Sequence, residues 1–461
     1  MQVEQFQAII IGSGQGGGPL ATDLAEAGWK TALIEKGNPG GTCVNRGCTP
    51  TKTVAASARV AHLVSRAGDF GVRTGPVVID LPAILNRKDD VVEMFRKSVK
   101  KSFKNVENLT YISGEARFTG EKEIEVQISP EEKRQLRADT IVINTGSRPA
   151  IPDIPGLAET PYLTSRSILD VEHVPAELLI IGGGYVGVEY AQMFRRFGSE
   201  VYIAQRGEQL LTHEDADVAE NIQHILEDEG IKVFLDAKVN SLKEIALLNI
   251  NAKIKYSGGK EKLKVTHVLV ATGRTPNCES LELAKSNIKT GENGYIAVDA
   301  SLKTSCDGVF AIGDVKGGPA FTHIAYDDYR ILSNHLLNGK SIDFHDRMVP
   351  YTIFTDPQLG RIGLTEKAAI EQGFDVKIAE MPLSHAARAI ETGETRGKMK
   401  VVIDATTDRI LGCAILAPEG GEVMSALQMA MMGELPYTEI RDGVFAHPTM
   451  TESLNNLFET V

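Results

Sequence analysis

The sequence predicts an α/β protein: two copies of a strand, glycine-rich turn, helix and strand unit, and then a separate C-terminal α+β domain. Three observations carry this. Residues 7–11 (QAIII) form a short continuous apolar run followed at once by GSGQGG at 12–17, the pattern of a parallel strand covered on both faces. Residues 177–187 (ELLIIGGGYVG) repeat the arrangement. Past Asp343 the composition shifts to alternating strand and short helix patterns. The expected division is 1–150 and 151–276 for the two repeats, 277–345 as a central segment completing the first, and 346–461 for the last domain.

In the first unit, residues 20–27 read as a helix and 30–34 as a strand ending in Glu35. Glycines spaced G-x-G-x-x-G let the backbone approach a pyrophosphate at a helix N-terminus, and a terminal carboxylate accepts hydrogen bonds from a ribose diol. Gly12, Gly14, Gly17 and Glu35 therefore predict a dinucleotide site, the plainer alternative being a ligand-free turn. Residues 53–67 and 81–105 read as helices, the second with its many charges on a solvated face. Residues 111–139 alternate like antiparallel strands, and 140–144 is a further strand closed by Thr145 and Gly146.

In the second unit, Gly182, Gly184 and Gly187 form the turn, and the strand at 200–204 ends in Gln205–Arg206. Gly12 to Glu35 and Gly182 to Gln205 both span 23 positions, so the chain carries an internal repeat and predicts two dinucleotides. An acid at the strand end repels a 2′-phosphate; a neutral amide followed by a cation attracts one. The second site is thus expected to take NADPH over NADH. Residues 265–274 repeat the strand-then-Thr–Gly pattern, and 308–314 is a strand whose terminal Asp314 is suited to holding a hydroxyl of a phosphate-linked chain. Residues 351–372, 376–381, 398–404 and 410–416 read as strands and a helix, and 424–432 as a Met-rich helix for core or subunit contact.

Between the first repeat and its long helices lies GGTCVNRGCTPTK at 40–52, with four residues between Cys43 and Cys48. On one regular helix the pair would be about 7.5 Å apart along the axis, whereas a disulfide needs Cα atoms about 4.4–6.8 Å apart. A redox pair thus requires a bent backbone, which Gly47 and Pro50 permit. Unpaired thiols are the open alternative; half a zinc site lacks further ligands of suitable spacing. Cys278, Cys306 and Cys413 read as small core residues.

A net charge of −12 argues against a nucleic-acid partner. No run of eighteen apolar residues exists to span a membrane, the first residues do not look like a signal peptide, and few, odd-numbered cysteines suit a reducing, cytoplasmic setting.

Taken together, these motifs resemble the class I flavoprotein disulfide reductases: glutathione reductase, lipoamide dehydrogenase and mercuric reductase. The likeness covers essentially the whole chain and rests on GTC–x4–C–x–P–x–K at 41–52, both dinucleotide turns, ATGR at 271–274, AIGD at 311–314 and HPT–x–x–E at 447–452. It implies two Rossmann-like dinucleotide-binding domains and a C-terminal dimerisation domain. It implies FAD held around Gly12, Gly14, Gly17, Glu35, Lys36, Gly41, Thr42, Lys52, Ala116, Thr145, Gly146, Asp314, Phe321 and Thr322. NADPH would lie around Gly182, Gly184, Tyr185, Gly187, Glu189, Gln205, Arg206 and Gly273. Tyr185 matches the aromatic gate over the flavin, and Glu189 the acid paired with Lys52. Electrons would pass from nicotinamide through flavin to a Cys43–Cys48 disulfide. In this scheme Cys48 is the thiol against the flavin and Cys43 the interchange thiol. His447, oriented by Glu452, matches an acid–base supplied by the other subunit of a homodimer. No resident metal is implied.

Within the family, Thr22 departs from the Arg of glutathione reductases, and Gln205–Arg206 departs from an NAD site. AARA at 386–389, TRGK at 395–398 and APEG at 417–420 resemble the mercuric reductase branch, yet no cysteine follows Cys413 and His447 stands where those enzymes usually carry Tyr. This pattern implies reduction of a small thiol-reactive oxidant: hypothiocyanous acid, a metal ion or a low-molecular-weight disulfide. Arg46 is expected to lower the pKa of the Cys43 thiol. A dihydrolipoamide dehydrogenase using NAD is the alternative within the family, and a non-catalytic flavoprotein redox sensor the alternative outside it.

Overall fold

The computed structural model describes residues 2–341, 343–345 and 347–461. The chain forms two compact units, one of residues 1–54, 82–150 and 273–347, the other of residues 55–81, 151–272 and 348–461. Each is built by strands that leave and return.

The chain opens with β1 (Val3–Ile11), α1 (Gly17–Glu26) and β2 (Thr31–Glu35). Next come two consecutive helices, α2 (Gly41–Arg46) and α3 (Cys48–Ser65), and the long α4 (Leu81–Phe103). The helix expected from residue 53 thus begins five residues earlier, at Cys48. Pro50 falls in its first turn, where a missing N–H costs nothing. The break lies instead at Gly47, with φ −130° and ψ −114°. Then follow β3 (Leu109–Ser113), an antiparallel meander of β4 (Glu115–Gly120), β5 (Glu123–Gln127) and β6 (Lys133–Ile143), and the short β7 (Ser147–Pro149).

The second repeat holds β8 (Leu163–Thr164), β9 (Glu177–Ile181), α5 (Tyr185–Phe197), β10 (Glu200–Ala204), α6 (Ala216–Asp228) and β11 (Lys232–Phe234). A second meander, β12 (Lys238–Ala246), β13 (Asn249–Tyr256) and β14 (Gly259–Val265), leads into β15 (His267–Val270). The parallel sheet runs β11–β10–β9–β15–β8. The first unit mirrors it, with parallel order β3–β2–β1–β6. Its last parallel strand, β17 (Val309–Ala311), returns from downstream to pair with β6, after β16 (Arg274–Pro276) has paired antiparallel with β7. The helix α7 (Thr322–Asn338) then packs on α1. The internal repeat therefore includes the three-stranded meander as well as the turn, which the sequence spacing alone does not reveal. The ends of β1 and β6 that lead to the turns, and most of β9, are apolar and buried, with Ile9, Ile10, Leu179 and Ile180 fully so.

The C-terminal segment is an antiparallel five-stranded sheet in the order β18 (Tyr351–Ile353), β19 (Gln358–Gly363), β22 (Ile410–Ala417), β21 (Lys398–Asp404), β20 (Val376–Pro382). The Met-rich helix Gly420–Met432 packs on β19 and β22. It buries Met424 in the core and leaves Met429 and Met432 exposed. Cys413 and Cys306 are buried among apolar residues, and Cys278 is partly buried against a core cluster. Among the described residues no helix is long and apolar enough to cross a membrane.

Candidate active site

The first turn is tightly constrained. Gly12 has φ +104°, and a Cβ there would lie 2.4 Å from the Asn144 carbonyl oxygen; a Cβ at Gly17 would lie 2.1 Å from the Gly12 oxygen. Among the described residues the N-cap Gly16 makes no side-chain cap bond at the start of α1, where the positive end of the helix dipole suits an anion. Glu35, at the end of β2, accepts from Ser13 N–H at 2.9 Å, Ser13 Oγ–H at 2.7 Å and Gly37 N–H at 2.8 Å. These features fit the pyrophosphate and ribose of a dinucleotide. The opposite edge is set by Thr145–Gly146, whose backbone and hydroxyl are locked to Asn277. Asp314 accepts from Ser147 Oγ at 2.6 Å, and that hydroxyl in turn accepts from Arg274 Nε at 2.6 Å. Lys36 pairs with Glu115 at 3.2 Å on the surface. Ala116 buries its methyl group in the core, so only its backbone is left for a ligand.

The cysteine helices are attached directly to this turn. Gly40 N–H donates to Ser13 O at 3.2 Å and Gln15 Nε2 to Gly40 O at 3.2 Å. Gly41, with φ +66°, approaches so closely that a Cβ would lie 2.7 Å from Gly14 Cα. Asn45 caps the arrangement from inside, donating to Pro39 O and Gly41 O at 2.9 Å each. Thr42 and Cys43 therefore sit on α2, and Cys48 opens α3 beyond the Gly47 break.

Both cysteines are thiols here. Cys43 donates to Cys48, so its own pKa is pushed up, with burial adding to the effect. Cys48 is lowered to about 6, first by that hydrogen bond, then by the Thr322 hydroxyl and the Lys52 ammonium against an opposing cost of burial. Its place at a helix N-terminus works in the same direction. Thr322 Oγ1 lies 3.2 Å from Cys48 Sγ, at the first residue of α7 and next to Phe321, whose ring stacks on His323. The expectation that Arg46 lowers the Cys43 pKa is overturned: Arg46 is exposed, and Cys43 holds its proton because it donates to its neighbour.

The second turn repeats the first contact by contact. Gly182 has φ +111° with a Cβ position 2.4 Å from the Ala271 oxygen, and a Cβ at Gly187 would lie 2.1 Å from the Gly182 oxygen. Gly184 precedes α5 with no side-chain cap. Gln205 Oε1 accepts from Gly183 N–H at 3.0 Å, as Glu35 does from Ser13. Arg206 is exposed and has no ion pair among the described residues. Gly273 falls at the start of the returning segment of the first unit, its carbonyl accepting from Ala150 N–H at 2.9 Å. Tyr185 opens α5 against Tyr351, with ring centroids 5.3 Å apart. Glu189, buried one turn later, accepts from Phe354 N–H at 2.8 Å. Lys52 belongs to the first unit and Glu189 to the second. His447 Nδ1 lies 2.9 Å from both oxygens of Glu452. Its side chain is 66% exposed, which leaves Nε2 for a reacting group.

Thr322 acting on the Cys48 sulfur, Ser13 bridging turn and acid, and Tyr351 and Phe354 against α5 were not found from sequence. Their partners are up to 274 positions away, and no local motif announces such a contact.

Comparison with known proteins decides the family. The model of pyridine nucleotide-disulphide oxidoreductases matches residues 6–328, and that of their dimerisation domain matches 349–458. The chain belongs to the pyridine nucleotide-disulphide oxidoreductase family. It is 38% identical over 463 residues, covering all of both chains, to RclA of Escherichia coli, a probable pyridine nucleotide-disulfide oxidoreductase. It is 33% identical to a mercuric reductase of Lysinibacillus sphaericus over 98% of this chain and 82% of that protein. A solved structure described as the Cu(II) complex of the HOCl-induced flavoprotein disulfide reductase RclA from E. coli superposes with TM-score 0.90 at 37% identity over the full length of both. The chain is thus an oxidoreductase of a FAD-dependent, pyridine-nucleotide-using family, and its dimerisation domain supports a homodimer.

Proposed function

We propose that this protein is an NADPH-driven reductase that passes two electrons to the Cys43–Cys48 pair and on to a small thiol-reactive oxidant. Residues 1–150 with 277–345 would form the FAD-binding domain, 151–276 the NADPH-binding domain and 346–461 the dimer interface. Bound FAD supplies the two-electron relay between nicotinamide and sulfur. The residues named for it fit: an uncapped helix start, a glycine cradle and carboxylates at Glu35 and Asp314.

The observation that carries the reading is the polarised dithiol. Cys48, favoured as thiolate by Cys43, Thr322 and Lys52, would be the thiol against the flavin, while Cys43, which keeps its proton, would serve as the interchange thiol. With hypothiocyanous acid, Cys43 sulfur bonds to the electrophilic sulfur and hydroxide leaves as water. Cys48 then attacks Cys43 sulfur, expelling thiocyanate and closing the disulfide. The Cys43 proton and the departing hydroxide make up that water, so with Cys48 already a thiolate no net proton is released. With Cu(II), which is bound in the RclA structure, two ions would each take one electron. His447, held by Glu452, would supply and accept the protons from the partner subunit. Lys52 and Glu189 would each serve at the flavin, and Tyr185 as the gate at the nicotinamide.

NADPH is favoured because Gln205 spends its oxygen on Gly183 N–H. That leaves its NH2 as a donor toward the ribose, beside the exposed Arg206: a phosphate's partners, not a diol's.

The test is NADPH consumption by the purified protein on hypothiocyanous acid, Cu(II), Hg(II), glutathione disulfide and lipoamide side by side. Fast turnover on one of the small oxidants, lost in Cys43→Ser, supports the reading. Turnover confined to lipoamide with NADH, or none with reduced flavin, overturns it.

A further inference from the structure

Tyr185 and Glu189 are i and i+4 on α5 and share one face. The strand that begins the C-terminal sheet and the residue just after it hold both. Tyr351, its first residue, packs its ring at 5.3 Å and 31° to that of Tyr185, with the two hydroxyls in hydrogen-bond reach. Phe354, three residues on, donates its N–H to Glu189 Oε1.

Tyr351 is itself anchored. Its hydroxyl donates to Glu214 Oε1, and the Glu214 carboxylate is fully buried, 3.3 Å from the Nε of a nearly buried Arg361. Arg361 spends its Nη1 on the carbonyls of Ile362 and Cys413 at 2.8 Å each. Glu214 ends the loop that leaves β10 at Gln205–Arg206. That loop is tied to the second dinucleotide turn by Leu211 N–H on Gly183 O at 3.0 Å, and Gln209 Nε2 donates to Glu214 O at 3.0 Å. Burying a carboxylate is expensive: burial pushes the Glu214 carboxyl above its ordinary range, and Arg361 and the Tyr351 hydroxyl offset this only in part. A ring held at its hydroxyl cannot swing, so Tyr351 offers Tyr185 one fixed seat.

We propose that Tyr351, anchored by Glu214 and Arg361, is a positioning residue that seats Tyr185 at the nicotinamide entrance. It rests on the gating role of Tyr185 given above. Tyr351 would act only through Tyr185 and touch neither cofactor nor oxidant.

The test is anaerobic stopped-flow reduction of the FAD-loaded dimer by NADPH, read as limiting rate and apparent Kd. Tyr351→Phe is expected to move the apparent Kd about three- to ten-fold, the worth of one hydrogen bond, and to move it no further in a Tyr185→Ala background. Glu214→Gln, which keeps an oxygen acceptor, should retain most of the wild-type value, whereas Glu214→Leu should match Tyr351→Phe. An unchanged Kd in Tyr351→Phe, or a change that persists in full without the Tyr185 ring, overturns the proposal while leaving the gate intact. Tyr185→Ala with wild-type rate and Kd removes the gating role itself, and this one with it.

Discussion

Replacing Thr322 with valine keeps the shape of the first turn of α7 and deletes one hydroxyl. That hydroxyl lies 3.2 Å from Cys48 Sγ and ranks after the Cys43 thiol among the groups that lower the Cys48 pKa to about 6. A hydrogen bond to a charged acceptor is worth about 1.5–3 kcal/mol, and the large, soft sulfur belongs at the low end. At 1.36 kcal/mol per pKa step, Thr322→Val should raise the Cys48 pKa by roughly one. At about pH 6.5 the thiolate fraction then falls from roughly three-quarters to roughly one-quarter. The assay is the rate of iodoacetamide alkylation of the reduced protein against pH, with the modified cysteine identified by mass spectrometry. Cys43→Ala should raise the pKa further than Thr322→Val, since the Cys43 hydrogen bond is the larger influence. A Cys48 pKa unmoved by either change would refute the assignment of the thiolate to Cys48 through its neighbours.

Three further outcomes follow from the same geometry. Gln205→Glu restores the carboxylate seen at Glu35 and should shift the NADPH-to-NADH ratio of kcat/KM toward NADH by about ten-fold or more, with kcat nearly unchanged; steady-state kinetics with both nucleotides checks it. His447→Gln should cut turnover of the oxidant by about 10²-fold or more while NADPH still reduces the flavin at the wild-type rate, which separate half-reaction kinetics will show. Burial would raise the Glu229 pKa, but Arg196 at 2.7 Å and Arg396 at 2.9 Å outweigh it and hold the carboxyl below its ordinary value. A depressed carboxylate adds stability that is complete above its unfolded pKa and is lost as pH falls through the folded one. Glu229→Gln should therefore cost about 3 kcal/mol near neutral pH and flatten the acid limb of the melting curve.

Much of the fold is legible because local patterns dictate it. Two apolar runs followed by glycine turns, at equal spacing to a strand end, specify parallel strands and uncapped helix starts whatever else the chain does. The Cys43 and Cys48 spacing shows that one straight helix will not serve, and the chain does break, at Gly47. The difference between Glu35 and Gln205 is also written in the sequence, since each stands at the same step of its repeat.

Other features arise only when distant segments meet. Gly41 packs on Gly14 because β2 returns the chain to the start of α1, so the cysteine helices dock on the turn itself. Charge is favoured on Cys48 because the Cys43 thiol donates to it, and α7, 274 positions on, brings the Thr322 hydroxyl to this pair of sulfurs. Arg46 is close in sequence but exposed, so proximity along the chain wrongly predicted a lowered Cys43 pKa. The seating of Tyr185 depends on Tyr351 and a buried carboxylate contributed by two different elements. The sequence by itself determines which local units form, because hydrogen bonds and φ preferences act over a few residues. The protonation and seating of side chains were decided by the tertiary structure, because electrostatics and packing depend on distance in space.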